Sequence, residues 1–219
     1  MQQTIALAQS SPLFEGIDPG KMDVMLNCIG YHVKRYEKGE SLALEEADIQ
    51  QVGILLTGSV DMVKEDIWGN KTMLLRVGPG ELFGESFACA VDSMSTVSFV
   101  AAEDCEALFL PFRRMMHTCS HTCEFHHRLI ENMVTQLAEK NQSLMQKVEV
   151  ISKKTLREKI LAYLMLQVQK QGSKYIELPL SRVELADYLC ADRSALTREL
   201  SKMREDGLID YDRNTFRVL

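Results

Sequence analysis

The sequence predicts an α+β chain: an N-terminal antiparallel β-roll of jelly-roll type, a long helix, and a small C-terminal module of helices and short strands. Three observations carry this. Between Tyr31 and Phe112, short runs rich in Val, Ile, Leu and Phe are cut by glycines at 39, 53, 58, 69, 78, 80 and 84, the rhythm of short strands in a roll or barrel. Past His117, glycine disappears until Gly172, and apolar residues recur at spacings of three, four or seven, which is helical. Beyond Gly172, capping and turn residues divide the chain into short pieces. The expected parts are a roll over 1–119, a long helix over 120–151 and the C-terminal module over 152–219.

Composition is globular. Of 219 residues, 46% are hydrophobic and 26% charged, which excludes disordered and low-complexity chains. No apolar run approaches the roughly 20 residues that span a bilayer, so no membrane partner is expected. The start, MQQTIALAQSSP, lacks the cationic and apolar regions of a secretory signal. Six scattered cysteines do not suggest a disulfide scaffold and favour a reducing, cytoplasmic location.

Residues 12–29 read as short helical pieces, with Asp18-Pro19 as a helix start and Met22, Met25, Leu26 and Ile29 at helical spacing. The stretch VGILLTGSVDMVKEDIWGNKTMLLRV reads as two successive hairpins turning at Gly58-Ser59 and Gly69-Asn70. In the long helix, about 123–151, Leu129, Met133, Leu137, Leu144, Val148 and Ile151 form one apolar seam. A helix of about 28 residues is about 42 Å long, more than a compact domain needs. The seam is therefore expected to pair with a second copy. A helix lying wholly on its own roll would use the same pattern.

A second helix is expected over 153–170, ended by Gly172, and YIELPLS gives a short strand. Ser181-Arg182-Val183-Glu184 then has the form of a capping box opening a helix over 182–189. The corner Cys190-Ala191-Asp192 leads into a helix over 193–205, with Asp192 as its N-cap. Ala186 permits close helix approach, and Leu185, Leu189, Leu196 and Leu200 supply the contacts. This is helix-turn-helix spacing. Residues 207–211 and 215–219, around a polar turn at 212–214, make a wing. The second helix exposes Arg193, Ser194, Thr197 and Arg198 in its first turns, the end that enters a major groove. Arginine bonds guanine O6 and N7, and serine or threonine serve several bases. Lys202 and Arg204 suit phosphate, and Ser181 and Arg182 join the expected DNA-binding set.

The net charge of −6 argues against nucleic acid, but it is unevenly spread. Residues 1–151 hold 12 Lys+Arg against 21 Asp+Glu, whereas residues 152–219 hold 13 against 10. The C-terminal third is mildly basic.

Two stretches resemble the Crp/Fnr family of bacterial transcription regulators. LLTGSVDMVKEDIWGNKTMLLRVGPGELFGES, at 55–86, is similar to its cyclic-nucleotide-binding-type roll, and LSRVELADYLCADRSALTRELSKMREDGLIDYD, at 180–212, to its winged helix-turn-helix. The resemblance implies a homodimer paired through the long helices, a small-molecule effector bound between roll and helix, a two-fold symmetric double-stranded DNA operator, and RNA polymerase as a further partner. Half-sites would lie about one helical turn, roughly 34 Å, apart. Arg193, Ser194, Thr197 and Arg198 match the family's base-reading positions. The family often has Glu where Ser194 stands, so its usual half-site is not carried over.

Cyclic-nucleotide-binding members hold the ribose with a Gly-Glu pair and the phosphate with an Arg-Ser pair about ten residues later. Here Gly84-Glu85 is present, but the Arg-Ser position falls on Ser95 and Thr96. A buried phosphate needs a cation or converging amides, so cyclic AMP is not the expected effector. The candidate effector-binding residues are Phe83, Gly84, Glu85, Ser86, Phe87, Ser95, Thr96 and Phe99 from the roll, with Arg128, Leu129 and Asn132 from the helix; Arg76 and Arg128 are the candidate substitute cations. No cofactor is expected beyond this unidentified effector.

Four of five histidines (117, 121, 126, 127) lie within eleven residues, with Cys119 and Cys123. Sulfur and imidazole suit zinc, iron or copper, so Cys119, Cys123 and His126 carry an alternative reading as a metal or redox sensor. The spacing matches no standard zinc motif. A regulatory subunit that binds an effector but not DNA is the further alternative. Neither a P-loop nor a Gly-x-Ser-x-Gly elbow occurs, and no enzymatic activity is expected.

Overall fold

The computed structural model describes residues 6–69, 71–116 and 124–219. It divides into two compact units, Met1–Leu137 and Ala138–Leu219. No helix among the described residues is long and apolar enough to cross a membrane.

In the first unit, α1 (Pro19–Ile29) starts on Pro19 behind its N-cap, Asp18, and ends at Gly30 in a left-handed conformation. The strands follow: β1 (His32–Tyr36), β2 (Ser41–Ala43), β3 (Gln51–Thr57), β4 (Val60–Glu65), β5 (Lys71–Val77), β6 (Leu82–Phe83), β7 (Ser98–Ala101) and β8 (Cys105–Pro111). They form two antiparallel sheets, ordered β1-β8-β3-β6 and β2-β7-β4-β5. The short helices α2 (Glu85–Ala88) and α3 (Phe112–Met116) follow β6 and β8.

The period of two in β3 and β8 builds two cores at once. Val52, Ile54, Leu56, Leu108 and Leu110 face one cluster with Leu13, Met22, Leu26 and Ile29 of the N-terminal helical pieces. Leu55, Cys105 and Ala107 face the other, with Val60, Phe83 and Phe99. A strand buried on both faces has no use for alternating polar residues, hence the unbroken VGILL run.

The first expected hairpin is corrected here. β3 and β4 belong to different sheets, so the Gly58-Ser59 turn carries the chain from one sheet to the other. Gly58 has φ 79° and a side chain there would strike the Asp104 carbonyl at 2.4 Å; it marks a tight crossing rather than strand pairing. The second hairpin, β4–β5, forms as expected.

The long helix, α4 (Glu124–Ile151), serves different surroundings along its length. Leu129 and Met133 are 0% and 2% exposed and belong to the core shared with α1 and β3, and Leu137 packs against it. Buried within one protomer, Leu129 and Met133 present little surface to a second copy. Val134, Leu144, Met145 and Val148 are 60%, 63%, 66% and 60% exposed, a large apolar stripe left uncovered among the described residues.

The second unit contains α5 (Leu156–Gln171), opened by a Thr155–Glu158 capping box and ended by Gly172. β9 (Tyr175–Glu177), α6 (Arg182–Tyr188), α7 (Arg193–Glu205), β10 (Ile209–Asp212) and β11 (Thr215–Val218) follow. The sheet order is β10-β11-β9, so the wing hairpin gains a third strand from YIE. Ala186, Leu185, Leu189, Leu196 and Leu200 are all buried in one core.

Candidate nucleic-acid interface and effector cleft

The helix-turn-helix is fixed by local chemistry. Ser181 caps α6: its hydroxyl accepts from the Glu184 amide, and the Glu184 carboxylate accepts from the Ser181 amide at 2.8 Å. Asp192 caps α7, its Oδ1 accepting the amides of Ser194 and Ala195 at 2.9 and 3.0 Å. These bonds, with the Ser194 hydroxyl first among them, hold its carboxyl below the usual range. Between the helices, Cys190 takes a left-handed conformation at φ 51°, the strained element of the corner. Arg157 of α5 anchors α7 from behind, donating to Glu199 and Asp206, both at 2.6 Å.

This leaves one face of α7 outward. Arg193, Ser194, Thr197, Arg198 and Lys202 are all exposed. Asp192, Arg193, Ser194, Thr197 and Arg198 together line a shallow open depression. The expected base-reading residues are thus brought together on one surface. Two basic residues are committed elsewhere. Arg182 lies over the rings of Tyr211 and Phe216, at 4.9 and 4.6 Å, and donates to the Arg213 carbonyl in the wing turn at 2.7 Å. Its burial depresses its pKa. In the protomer it fastens the wing to α6. Arg204, expected to suit phosphate, pairs with Asp210 at 2.9 Å. Ser181 is exposed, but both its amide and its hydroxyl serve the cap.

In the roll, Phe83, Phe99 and Phe109 wall a cleft of about 330 Å³, with Leu42, Ile49, Gly84, Asp48, Gln50 and Gln51 among its lining. Phe83 lies 5.6 Å from Phe99 and 5.7 Å from Phe109, ring centre to ring centre. Among the described residues, the lining holds no cationic side chain. Asp48 is engaged by Ser93 and Gln50, which lower its pKa in that order.

The other effector candidates part company with this cleft. Glu85 is 4% exposed at the start of α2, behind Gly84 at φ 74°, and accepts weakly from Ser86 at 3.4 Å. Ser95 is buried and its hydroxyl donates to the Val97 carbonyl at 2.7 Å. Thr96 is exposed, and its carbonyl accepts from Lys64 Nζ at 2.9 Å. Sequence reasoning missed Lys64; the β4–β7 register delivers it, and no local signal marks it. Its charge is matched by Glu45. Arg76 pairs with Asp61 across β4–β5, and Arg128 with Glu131. Neither reaches the lining of the cleft. Asn132 donates to the carbonyls of Leu13 and Glu15 at 2.9 and 2.8 Å. In the protomer both Arg128 and Asn132 tie the helix to the N-terminal segment: the Arg128 side chain lies against Gly16, and the Asn132 amide satisfies the Leu13 and Glu15 carbonyls.

Cys119 and Cys123 lie outside the described residues. His126 is 1% exposed, and its Nδ1 has no hydrogen-bond partner among the described residues. Burial, with the nearby Glu85 carboxylate, pushes the Cys89 thiol up to about 11, where little reactive thiolate exists.

Residues 33–122 match the cyclic nucleotide-binding domain family, and residues 158–219 match the Crp-like helix-turn-helix domain family. The chain is similar to the cyclic AMP receptor protein of Thermus thermophilus, with 26% identity over 220 residues covering 96% of this chain and 93% of that protein. It is also similar to the transcriptional activator protein FnrL of Cereibacter sphaeroides, with 23% identity over 192 residues covering 81% and 72%. Its fold resembles the solved structure of the global regulator CLP of Xanthomonas campestris, at 19% identity and a TM-score of 0.62, covering 92% and 99%. These relatives are regulators, not enzymes. With both domain families matched in order on a roll, a long helix and a capped helix-turn-helix, the chain belongs to the Crp/Fnr family of DNA-binding transcription regulators.

Proposed function

We propose that the protein is an effector-responsive, sequence-specific regulator that acts as a homodimer on a two-fold symmetric operator in the cytoplasm. The observation that carries this is the outward face of α7, where Arg193, Ser194, Thr197 and Arg198 stand exposed while Arg157 holds the helix from behind and Asp192 caps its start. The exposed stripe of Leu144, Met145 and Val148 supports pairing of two copies through the C-terminal half of α4. RNA polymerase is the further partner this reading requires where the protein activates.

Arg198→Ala tests the interface. The side chain is exposed, so its loss leaves stability nearly unchanged while weakening operator binding by about 1–3 kcal/mol and relaxing one base pair per half-site. Electrophoretic mobility shifts and a thermal melt check both. An unchanged affinity contradicts the reading.

The aromatic cleft supports an uncharged, flat effector. Three ring walls favour stacking, and a phosphate brought there would lose water without meeting a cation. An effector works by binding one arrangement of the dimer more tightly than another. Thermal shift against uncharged aromatic compounds and cyclic AMP checks this. A ligand at 100 times its Kd stabilises by about 2.7 kcal/mol; such compounds are expected to raise the Tm, and Phe99→Ala to abolish the rise. A shift with cyclic AMP and none with aromatic compounds contradicts it.

One observation favours a second reading. The buried His126 Nδ1 without a partner is the kind of group a metal satisfies, and Cys119 and Cys123 stand close in sequence. Elemental analysis of the purified protein separates this reading from the first: bound zinc or iron lost on Cys123→Ala supports it, and metal-free protein that responds to its effector excludes it.

A further inference from the structure

The hydroxyls on the outward face of α7 are not free to give and take. Ser194 Oγ lies 2.5 Å from Asp192 Oδ1. An ionised carboxylate has no hydrogen to donate, so the one hydrogen between them is the hydroxyl's. Asp192 is in turn fixed as N-cap by the amides of Ser194 and Ala195 and cannot swing away without uncapping the helix. Thr197 Oγ1 likewise donates to the Arg193 carbonyl at 2.9 Å, and Ser201 Oγ to the Thr197 carbonyl at 3.2 Å. A serine normally serves any base because its hydrogen rotates to suit. Here the hydrogen points inward, and only lone pairs face out.

The major groove presents two kinds of edge. Adenine N6 and cytosine N4 are donors; guanine O6 and N7 and thymine O4 are acceptors. An acceptor-only group meets the first kind favourably and leaves both partners unpaired with the second. We propose that Ser194 is a specificity-determining residue that recognises a base amino group, so that the base it faces in each half-site is adenine or cytosine and not guanine or thymine. Asp192, which touches no base in this arrangement, sets that preference by holding the serine hydrogen. Arg193 and Arg198, donors only, take the guanine edges alongside. The inference rests on the reading that α7 enters the major groove.

The test is selection of binding sites from random double-stranded DNA by the full-length protein, repeated with Ser194→Ala, Asp192→Ala and Arg198→Ala. Ser194→Ala identifies the position concerned, as the one whose preference collapses by about 3- to 10-fold, the worth of one hydrogen bond. The unsubstituted protein is expected to show adenine or cytosine there, and Asp192→Ala, which frees the hydroxyl hydrogen, to admit guanine or thymine at that same position. Guanine or thymine there in the unsubstituted protein, or a Ser194→Ala profile identical to it, overturns the proposal. Because Asp192→Ala also removes a cap, circular dichroism accompanies it; the Ser194→Ala comparison decides the matter even if that variant unfolds. No enriched sequence at all, or enrichment untouched by Arg198→Ala, overturns the major-groove reading beneath it instead.

Discussion

Replacing Leu144 and Val148 together by Asp is expected to make the protein monomeric and to weaken operator binding by at least about 100-fold. In the protomer these side chains are 63% and 60% exposed, with Met145 beside them at 66%. Fully burying each such side chain is worth about 1.5–3 kcal/mol. Three from each of two copies supply on the order of the cost of association, about 4–15 kcal/mol, so the seam decides whether a dimer exists. Two carboxylates on each side of it would be buried without partners, which no small rearrangement relieves. Two coupled DNA-binding modules gain about 10²–10⁴ over one, and that factor is what the monomer loses. The folded protomer itself is expected to survive, because neither residue contributes to a core. Light scattering after size exclusion, circular dichroism and operator titration read the three consequences. Changing Leu129 or Met133 is expected to do the opposite, unfolding the roll, because both lie in its core. A Leu144/Val148 variant that still elutes as a dimer contradicts the assigned seam.

Gly53→Val is expected to destabilise the roll by about 3–5 kcal/mol, the range for removing a large aromatic side chain from a core. Gly53 lies within β3, paired with Phe83 on one side and Phe109 on the other. A Cβ at this position would stand 2.2 Å from the tip of the Phe83 ring. The backbone cannot yield, being bonded to strands on both sides, so the ring must leave. Phe83 is 4% exposed and packs on Phe99 and Phe109; its eviction empties the wall of the cleft. At about 2–4 °C per kcal/mol for a chain of this size, the expected fall in Tm is roughly 6–20 °C, together with loss of effector binding. A valine variant that melts within a degree or two of the unsubstituted protein contradicts the geometry.

These two sites also show what a sequence can and cannot disclose. The helix-turn-helix was readable nearly to the residue, Arg182–Tyr188 and Arg193–Glu205, because caps and corners are local: Ser181, Glu184 and Asp192 act within three positions of themselves. The seam of α4 was readable as apolar but not as to partner. Leu129 and Leu144 are the same residue type in one helix, and only the roll's arrival at one of them distinguishes core from surface. The Gly58-Ser59 turn failed for a related reason. Left-handed glycine suits a hairpin and a crossing between sheets equally, and the choice is made by burial of both faces of β3. The effector residues were least legible. Asn132 meets carbonyls 117 and 119 residues away, and Lys64 meets Thr96 through sheet register. Arg182 read as a free cation because its ring partners, Tyr211 and Phe216, lie some 30 residues on.

We propose that the outward face of α7 reads base sequence as part of a dimer. It is tested most directly by titrating the purified protein, with fluorescence anisotropy at physiological salt, against its own upstream DNA and a scrambled duplex of equal length and composition. With only three more basic than acidic residues over 152–219, bulk attraction to phosphate is modest. The predicted result is at least about 10³-fold tighter binding to the upstream duplex, at two protomers per site. Equal affinity for the two duplexes contradicts the account.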